Sequence, residues 1–447
     1  MSLLTIEEMP IDRKDKNLLM WVFIAVFSSA WVLIKEPFEI YSAYLVFLPL
    51  LPIFISRLGI PPQFYLFLLY FLLTGVLNIF LGNNTVLQFF KIFIGLMMSY
   101  LFYFLVLKRF EFNARIVFEY FLRAAFVVTL IGLCQFVSYI IHFKPGYDFR
   151  WLPIFNKWGT IMGGNFGIRV NAIFGEPSQY AAVMSPAMFV SLSNLISGRN
   201  YVYSKWQSAL TLMVYLATFS SLGYMGIFTA IILLLINYGI VRYLLFFIPL
   251  LIGAFLYLYN NVEDFRYRWD STLTLFETGK VDITQEHGSS IVFYNNYVVA
   301  MENFQSNFLL GTGLGSHAVA FDKYSITKDI VTAGFAFNSS DANSMMLRII
   351  SELGLVGIIT VIVFIRRGFV KRKALEPDDR RWVICSATLC VILLYLFRQG
   401  HYFLNGFPIF VWMYWFNSKN TWTSVEENED EEEEEEEENN ELAGHGA

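Results

Sequence analysis

A succession of apolar segments, each about as long as a lipid bilayer is thick, limits what this chain can fold into. A hydrocarbon core of ~30 Å is crossed by about 20 mostly apolar residues in a helix. We predict twelve such spans, and Ser220 to Gly223 break what would otherwise be one long helix. The predicted spans are residues 17–34, 38–57, 62–81, 85–107, 117–142, 178–196, 206–219, 222–240, 242–260, 343–365, 382–398 and 401–416.

The composition supports this interpretation along the whole chain. The 447 residues are 56% hydrophobic and 15% charged, whereas a soluble protein carries about 25% charged residues. A soluble enzyme, a disordered protein and a fibrous repeat are therefore excluded. We predict an all-α fold, namely a polytopic integral membrane protein with about 12 transmembrane helices in a single transmembrane domain, residues 1–416.

The distribution of basic residues predicts the orientation in the membrane, because Lys and Arg accumulate in cytoplasmic loops. Residues 366–381 hold seven of them, and this segment lies inside only if 206–219 and 222–240 are separate spans. Both termini are then cytoplasmic, and two long loops, 143–177 and 261–342, lie outside. The seven residues are Arg366, Arg367, Lys371, Arg372, Lys373, Arg380 and Arg381.

The remaining features of the sequence are an acidic end and the absence of several functional motifs. Residues 417–447 form an acidic tail, with an unbroken run of Glu at 431–438, and predict a disordered cytoplasmic segment. The chain contains no GxxxxGK[ST] motif, so ATP-driven transport is not expected. Cys134, Cys385 and Cys390 all lie inside apolar segments, which predicts no metal cluster. We expect no metal, no organic cofactor and no nucleic-acid partner.

The first outer loop is basic and aromatic. Arg150 and Arg169 lie in a segment with several Trp and Phe residues, a combination that suits an anionic headgroup or a sugar face. The same aromatic residues also suit a simple interfacial belt. Glu176 precedes Pro177 where a helix is predicted to begin, and an acidic residue is favoured there. Glu176 is therefore either a helix-start residue or a candidate for proton transfer.

Charged residues also lie at or near the outer ends of the late spans. Arg348 falls one to two turns inside the tenth span, where an Arg is costly and is a functional candidate by default. It could instead extend to the outer interface, or pair with Glu352 one turn later. Arg398 and His401 flank a short outer turn. A glycine-rich segment, residues 311–317, predicts either a backbone turn or a loop that approaches a phosphate or glycan.

These segments together resemble the O-antigen polymerase and ligase superfamily, most closely the Wzy-type bacterial polysaccharide polymerases. The resemblance extends over roughly residues 160–405, and the earlier spans match only in hydropathy. The matching segments are Arg169 with residues 174–178 (FGEPS), residues 308–315 (FLLGTGLG), Asn343 and Ser344 with residues 352–357 (ELGLVG), and residues 398–402 (RQGHY).

The resemblance implies a glycosyltransferase that polymerises undecaprenyl-diphosphate-linked oligosaccharides into O-antigen, capsule or exopolysaccharide at the periplasmic face of the bacterial inner membrane. Its partners would be the lipid-linked glycans, membrane lipid and a chain-length regulator protein. The donor diphosphate requires cations, and the acceptor hydroxyl requires a base. The expected base is Glu176, followed by His401 and Asp341. The expected diphosphate or glycan contacts are Arg169, Arg348, Arg398, Arg150 and Tyr402.

Two alternatives remain open at this point. Related ligases, which transfer glycan to lipid A-core, carry a His-Asn pair where this chain has Ala342-Asn343. This departure disfavours a ligase and leaves the base unassigned. A flippase of lipid-linked oligosaccharide belongs to another class, and it would be expected to carry more ionisable groups inside its spans.

Overall fold

The protein, described here from a computed structural model, consists largely of α-helices joined by short turns. The structure describes residues 12–34, 39–154, 156–163, 167–240, 244–261, 263–282, 286–327, 338–373 and 380–419. The acidic tail predicted for residues 417–447 lies outside the described residues from position 420 onward.

Sixteen α-helices and two short β-hairpins are found in the described residues. The first eight helices are α1 (Arg13–Phe27), α2 (Tyr44–Leu58), α3 (Pro62–Phe80), α4 (Val86–Arg109), α5 (Ala114–Ile140), α6 (Lys144–Tyr147), α7 (Pro177–Ser197) and α8 (Lys205–Leu216). The others are α9 (Ser221–Asn237), α10 (Leu244–Asn261), α11 (Glu263–Thr278), α12 (Gly288–Ser306), α13 (His317–Tyr324), α14 (Met345–Gly368), α15 (Arg381–Arg398) and α16 (Phe407–Asn417). The antiparallel hairpins pair β1 (Val32–Ile34) with β2 (Ile40–Tyr41) and β3 (Ile161–Met162) with β4 (Ile168–Arg169).

The prediction of an all-α membrane protein is confirmed, but the number of spans is not. Within the described residues, six helices are long and apolar enough to cross a membrane, namely α3, α4, α5, α7, α14 and α15. Each predicted span overlaps a helix, yet several of these helices are short. At a rise of 1.5 Å per residue, the 12-residue α8 is about 18 Å long, well below the ~30 Å of a hydrocarbon core. Twelve crossings therefore stay a prediction.

The predicted interruption between spans 206–219 and 222–240 is confirmed. Helix α8 ends at Leu216 and α9 begins at Ser221. Phe219, between them, has a φ of 43°, which lies in the left-handed region and is incompatible with a continuous α-helix. The two helices are therefore separate, as the small and polar residues at this point indicate.

Three predicted spans have wrong boundaries, and all three errors fall beside the candidate site. The span predicted at 38–57 becomes helical only at Tyr44. The span predicted at 17–34 ends as a helix at Phe27, and the chain then enters the β1–β2 hairpin. The span predicted at 401–416 becomes helical only at Phe407. Asn405 and Gly406 have φ values of 52° and 66°, and this left-handed backbone cannot continue a helix.

Helices α7 and α15 form the centre of the molecule. In each of them, 78% of the most apolar 18-residue stretch is buried inside the protein. The corresponding share in α3 is 17%, so α3 lies at the periphery. Helix α7 packs against α8, α9 and α15. Its buried face is rich in small residues, including Ala181, Ala182 and Ser185, which allow neighbouring helices to approach closely.

The two segments predicted as long outer loops contain structure of their own. Residues 143–177 include α6 and the β3–β4 hairpin, and residues 261–342 include α11, α12 and α13. Helix α12 packs against both α13 and α14. The second segment therefore lies directly over α14, the helix that carries Arg348.

Candidate functional site

The turn between α15 and α16 brings distant segments together. Gly400, in this turn, lies so close to the backbone of Asp341 that an added Cβ would be 1.6 Å from the Asp341 carbonyl oxygen. Only glycine permits this approach without displacing the chain. The next residue, His401, is thereby placed beside the Asp341 side chain.

His401 and Asp341 form a partly exposed pair. The Nε2 atom of His401 lies 2.9 Å from Oδ2 of Asp341, and the side chains are 36% and 12% exposed. Oδ1 of Asp341 accepts hydrogen bonds from the backbone N–H of Asn343 (2.9 Å) and from Nδ2 of Asn338 (3.1 Å). Burial raises the pKa of Asp341, but the charge and hydrogen bond of His401 and these two donors outweigh it, so the net pKa is lowered. Asp341 is therefore a carboxylate that orients the imidazole.

The β1–β2 hairpin adds a second carboxylate next to this pair. Glu39 forms an ion pair with Lys157 and accepts a hydrogen bond from the hydroxyl of Tyr41. Burial raises the pKa of Glu39, but Lys157, Tyr41 and the charge of His401 lower it more, and the net pKa is lowered. Burial raises the pKa of Tyr41, as do the neighbouring carboxylates Glu39 and Asp341. We call Glu39, Tyr41, Lys157, Asp341 and His401 the rim cluster.

A fully buried ion pair lies behind the rim cluster. On one face of α14, Nε of Arg348 donates to Oε1 of Glu352 at 2.8 Å, and these side chains are 2% and 0% exposed. Nη1 of Arg348 donates to the carbonyl oxygen of Gly400 at 2.9 Å. The hydroxyl of Tyr402 donates to Oε2 of Glu352 at 3.0 Å, and its ring lies 4.5 Å from the Arg348 guanidinium. Of the alternatives for Arg348, the structure shows the pairing with Glu352 and not an extension to the outer interface, since Arg348 is buried.

This ion pair also contacts the buried histidine of α13. The backbone N–H of His317 points to Oε1 of Glu352 (3.4 Å), and its Nε2 lies 2.9 Å from Oδ1 of Asn296. Burial lowers the pKa of His317 to about 3, and the charge of Arg348 acts in the same direction, against a smaller opposite effect of Asp341. His317 is therefore neutral at physiological pH. We call Arg348, Glu352, Tyr402, His317 and Asn296 the buried network.

Two polar atoms of the buried network are incompletely satisfied. Among the described residues, neither Nη2 of Arg348 nor Nδ1 of His317 has a hydrogen-bond partner. An unsatisfied buried polar atom costs about 1–3 kcal/mol. A folded protein retains such a cost mainly where function requires it.

Arg398 and Glu176 lie in a neighbouring part of the site. Helix α7 begins at Pro177 with Glu176 as its N-cap, which confirms the predicted helix start, and the exposed Glu176 carboxylate accepts a hydrogen bond from Ser178 at 3.0 Å. The charges of Arg268 and Glu176 both act on Arg398. Nη2 of Arg398 donates to the carbonyl oxygen of Ser289 at 3.4 Å. Arg398 is thus a partly exposed cation beside a carboxylate.

The other two predicted cations lie in different surroundings. Nε of Arg169 donates to the carbonyl oxygen of Thr218 at 3.3 Å, at the break between α8 and α9. Arg150 forms a local ion pair with Asp148 at 2.6 Å, and this hydrogen bond lowers the pKa of Asp148 to about 2. The contacts described for these two side chains do not include the rim cluster or the buried network.

The glycine-rich segment is a structural turn that supports the buried network. The backbone N–H of Gly313 donates to the carbonyl oxygen of Glu352 at 2.8 Å. An added Cβ on Gly311, whose φ is 64°, would lie 2.5 Å from the same backbone. On the other side, α14 is kinked at Gly354, which has a φ of 57° and a ψ of −148°. The segment is therefore packed onto the kink in α14. Of the two interpretations of this segment, the structure favours a backbone turn and not a loop that approaches a phosphate.

The site contains residues that the sequence patterns did not single out. Glu39 and Tyr41 lie in a predicted span, and their positions depend on a hairpin that has no clear signal in the sequence. His317 is the last residue of the glycine-rich segment, but nothing local indicates its burial against α14. Asn296 is one of many polar residues in α12.

The chemistry of the site is that of proton transfer beside cations. Among the described residues, no group of three or more His, Cys, Asp or Glu side chains is arranged to hold a metal ion. The rim cluster offers an imidazole oriented by a carboxylate, and Arg398 offers an anion contact near Glu176. No protein-family model matches the sequence, and no curated protein matches it.

Proposed function

We propose that this protein is a glycosyltransferase that polymerises undecaprenyl-diphosphate-linked oligosaccharide repeat units into O-antigen, capsule or exopolysaccharide. The observation that carries the proposal is the partly exposed His401–Asp341 pair at 2.9 Å, close to the cation Arg398. Transfer from a lipid diphosphate requires a base for the acceptor hydroxyl and cations for the leaving group. The apolar helices that embed the protein in a membrane support a lipid-linked donor.

The reaction forms one bond and breaks one. The oxygen of an acceptor sugar hydroxyl attacks the anomeric carbon of the donor sugar, and the bond from that carbon to the diphosphate oxygen breaks. The hydroxyl proton passes to Nδ1 of His401, because Nε2 faces Asp341. The electron pair leaves with undecaprenyl diphosphate. Asp341 stabilises the imidazolium that forms and keeps the ring oriented.

The cations have two different roles in this proposal: some contact the donor diphosphate, and one positions the segment that carries His401. Arg398 is partly exposed and lies within reach of the charge of Glu176, so we assign it to the donor diphosphate, with Arg169 as a second candidate cation. Arg348 is buried and neutralised by Glu352, and we assign it a positioning role. Through Gly400 and Tyr402, Arg348 and Glu352 hold the segment that carries His401. In this assignment the Glu176 carboxylate interacts electrostatically with Arg398, and His401 takes the proton of the acceptor hydroxyl.

The proposal includes a cellular setting. The protein lies in the bacterial inner membrane with twelve crossings and both termini in the cytoplasm, so that residues 143–177 and 261–342 face the periplasm. Basic residues at 366–373 and 380–381 support this orientation. A chain-length regulator protein and membrane lipid are the expected partners. The proposed step needs no cofactor, because cleavage of the bond between the anomeric carbon and the diphosphate of the donor provides the driving force.

The test is polymer synthesis by purified protein supplied with its lipid-linked repeat unit. His401→Asn should lower turnover by about 10²–10⁴-fold and leave donor binding unchanged. His142→Asn is the matched control, because His142 is exposed just after α5, and it should polymerise normally. Glu176→Gln should lower turnover much less than His401→Asn. Normal long chains from His401→Asn would show that His401 is not the base. A total loss of polymer in Glu176→Gln alone would identify Glu176 as the base.

A further inference from the structure

Helix α11, the first helix that follows α10, carries apolar side chains on an exposed face. Trp269, Leu273 and Phe276 are 48%, 48% and 45% exposed. Their spacing of four and then three residues places them on one face of the helix. Single exposed apolar side chains are common, whereas several on one helix face mark an interaction surface. We call Trp269, Leu273 and Phe276 the apolar stripe.

The rest of the α11 surface is divided between protein and water. Ser271 and Leu275 are 5% and 0% exposed, and they lie against the start of α12 and its buried side chains. Arg266, Asp270 and Glu277 are exposed and lie on a third face, next to the apolar stripe. An apolar face beside a charged face is typical of a helix that lies in the plane of a membrane–water interface.

Helix α10 indicates the depth of the apolar stripe in the membrane. It covers the ninth predicted span and has no charged residue, and its exposed Ile252 and Leu256 suit contact with acyl chains. The rings of Phe255 in α10 and Trp269 in α11 are in edge-to-face contact, with their centroids 4.9 Å apart. Phe255 lies about 9 Å along the helix axis from Asn261, the last residue of α10. An interfacial helix buries its apolar face by about 5–10 Å, so the two depths agree.

We infer that α11 lies in the headgroup layer of the leaflet at which α10 ends, and inserts the apolar stripe among the acyl chains. A lipid surface is favoured over a second protein, because the apolar stripe is continuous with the charge-free α10 through Phe255. Trp269 agrees with this placement, since Trp is enriched at membrane–water interfaces. The segment predicted as the second outer loop, 261–342, therefore begins with a membrane-bound helix.

This placement determines the depth of Arg398. The hydroxyl of Thr272, in α11, donates to the hydroxyl of Ser290, in the first turn of α12, at 2.8 Å. The carbonyl oxygen of the neighbouring Ser289 accepts a hydrogen bond from Arg398 at 3.4 Å. Arg398 is thereby held near the level of the lipid phosphates. That the glycan donor supplies the phosphate bound there rests on the proposed function, whereas the insertion of α11 does not.

Insertion is tested by spin-label accessibility on the full chain in nanodiscs of phosphatidylethanolamine and phosphatidylglycerol. Cys134, the exposed native cysteine, is replaced by alanine, and the label is attached at Leu273→Cys or at Thr274→Cys. Oxygen concentrates in the acyl region, whereas a nickel chelate stays in water. The ratio of oxygen to nickel collision rates should be about 5–10-fold higher at position 273 than at 274. Thr274 is the matched control, because it is exposed on the charged face of the same helix turn.

The outcomes distinguish a lipid surface from its alternatives. Low collision rates with both reagents at position 273 would show that another protein or a second copy covers the apolar stripe. High nickel collision rates at both positions would show that the apolar stripe faces water. Either result overturns the inference.

Activity tests the link to Arg398 separately. In a polymerising protein, Leu273→Glu should raise the KM for the lipid-linked donor more than it lowers kcat, and Thr274→Glu should change neither. An unchanged donor KM in Leu273→Glu would overturn the link between α11 and Arg398. The insertion pattern in a protein that makes no polymer would support the membrane-bound helix and refute only the proposed function.

Discussion

Replacing Arg348 with methionine should destabilise the protein far more than the loss of one surface charge would. The substitution removes the 2.8 Å ion pair to Glu352, the 2.9 Å hydrogen bond to Gly400 and the contact with the Tyr402 ring. The Glu352 carboxylate, at 0% exposure, is left without its counter-charge. Removing one partner of a buried pair costs about 3–5 kcal/mol, because the remaining charge is uncompensated.

The double variant distinguishes this cause from simple loss of packing. Replacing both Arg348 and Glu352 with methionine leaves no buried charge, so stability should return to within about 1–2 kcal/mol of the wild type. Glu352→Met alone should be as damaging as Arg348→Met. The two single effects are therefore expected to be strongly non-additive. Activity should not return, because the double variant still lacks the hydrogen bond from Arg348 to the Gly400 carbonyl that holds the segment carrying His401.

The assay is unfolding of the purified protein in nanodiscs, followed by tryptophan fluorescence over a denaturant series, with polymer length measured in parallel. The exposed pair Arg109–Asp15, at 3.1 Å and with Arg109 49% exposed, provides the control. Replacing both of its members should change stability by less than about 1 kcal/mol. Wild-type stability of Arg348→Met would refute the cost of the buried charge. Normal polymer from the double variant would refute the positioning role.

Three further predictions concern other parts of the molecule. Gly311→Ala should destabilise the fold by about 1–3 kcal/mol, because its Cβ would overlap the Glu352 backbone at a φ of 64°; equal midpoints in denaturant would contradict this. Since the pKa of His317 is about 3 in the folded state and 6.5 in the unfolded state, its contribution to stability is complete above pH 6.5 and falls as pH decreases, by about 2 kcal/mol at pH 5. His317→Gln should reduce this pH dependence in unfolding curves, and an unchanged profile would argue against a neutral buried imidazole. In spheroplasts, a membrane-impermeant thiol reagent should label Asn156→Cys and not Lys371→Cys. The reverse pattern would show that the proposed orientation in the membrane is wrong.

Part of the site could be predicted because it depends on local spacing. The start of α7 at Pro177 follows from proline at the first helical position. The pairing of Arg348 with Glu352 follows from their separation of four residues on one helix. Both interactions form between neighbours in the chain, so the sequence pattern is sufficient to predict them.

The contacts that make the site could not be predicted in this way. Asp341 and His401 are sixty residues apart and meet because Gly400 fits against the Asp341 backbone. Glu39 and Lys157 are 118 positions apart. The two non-helical segments that carry Glu39 and His401 were predicted as continuous spans, since hydropathy averages over a window and does not detect a left-handed residue such as Asn405.

The sequence by itself determined the all-α membrane class and the positions of the main helices. This was possible because burial of apolar length in a bilayer is a sum over about 20 consecutive residues and depends little on their neighbours in space. Only the tertiary structure decided which polar residues face one another. Helix packing, kinks such as Gly354 and tight contacts such as Gly400 set these distances, and they depend on the shapes of segments remote in the chain.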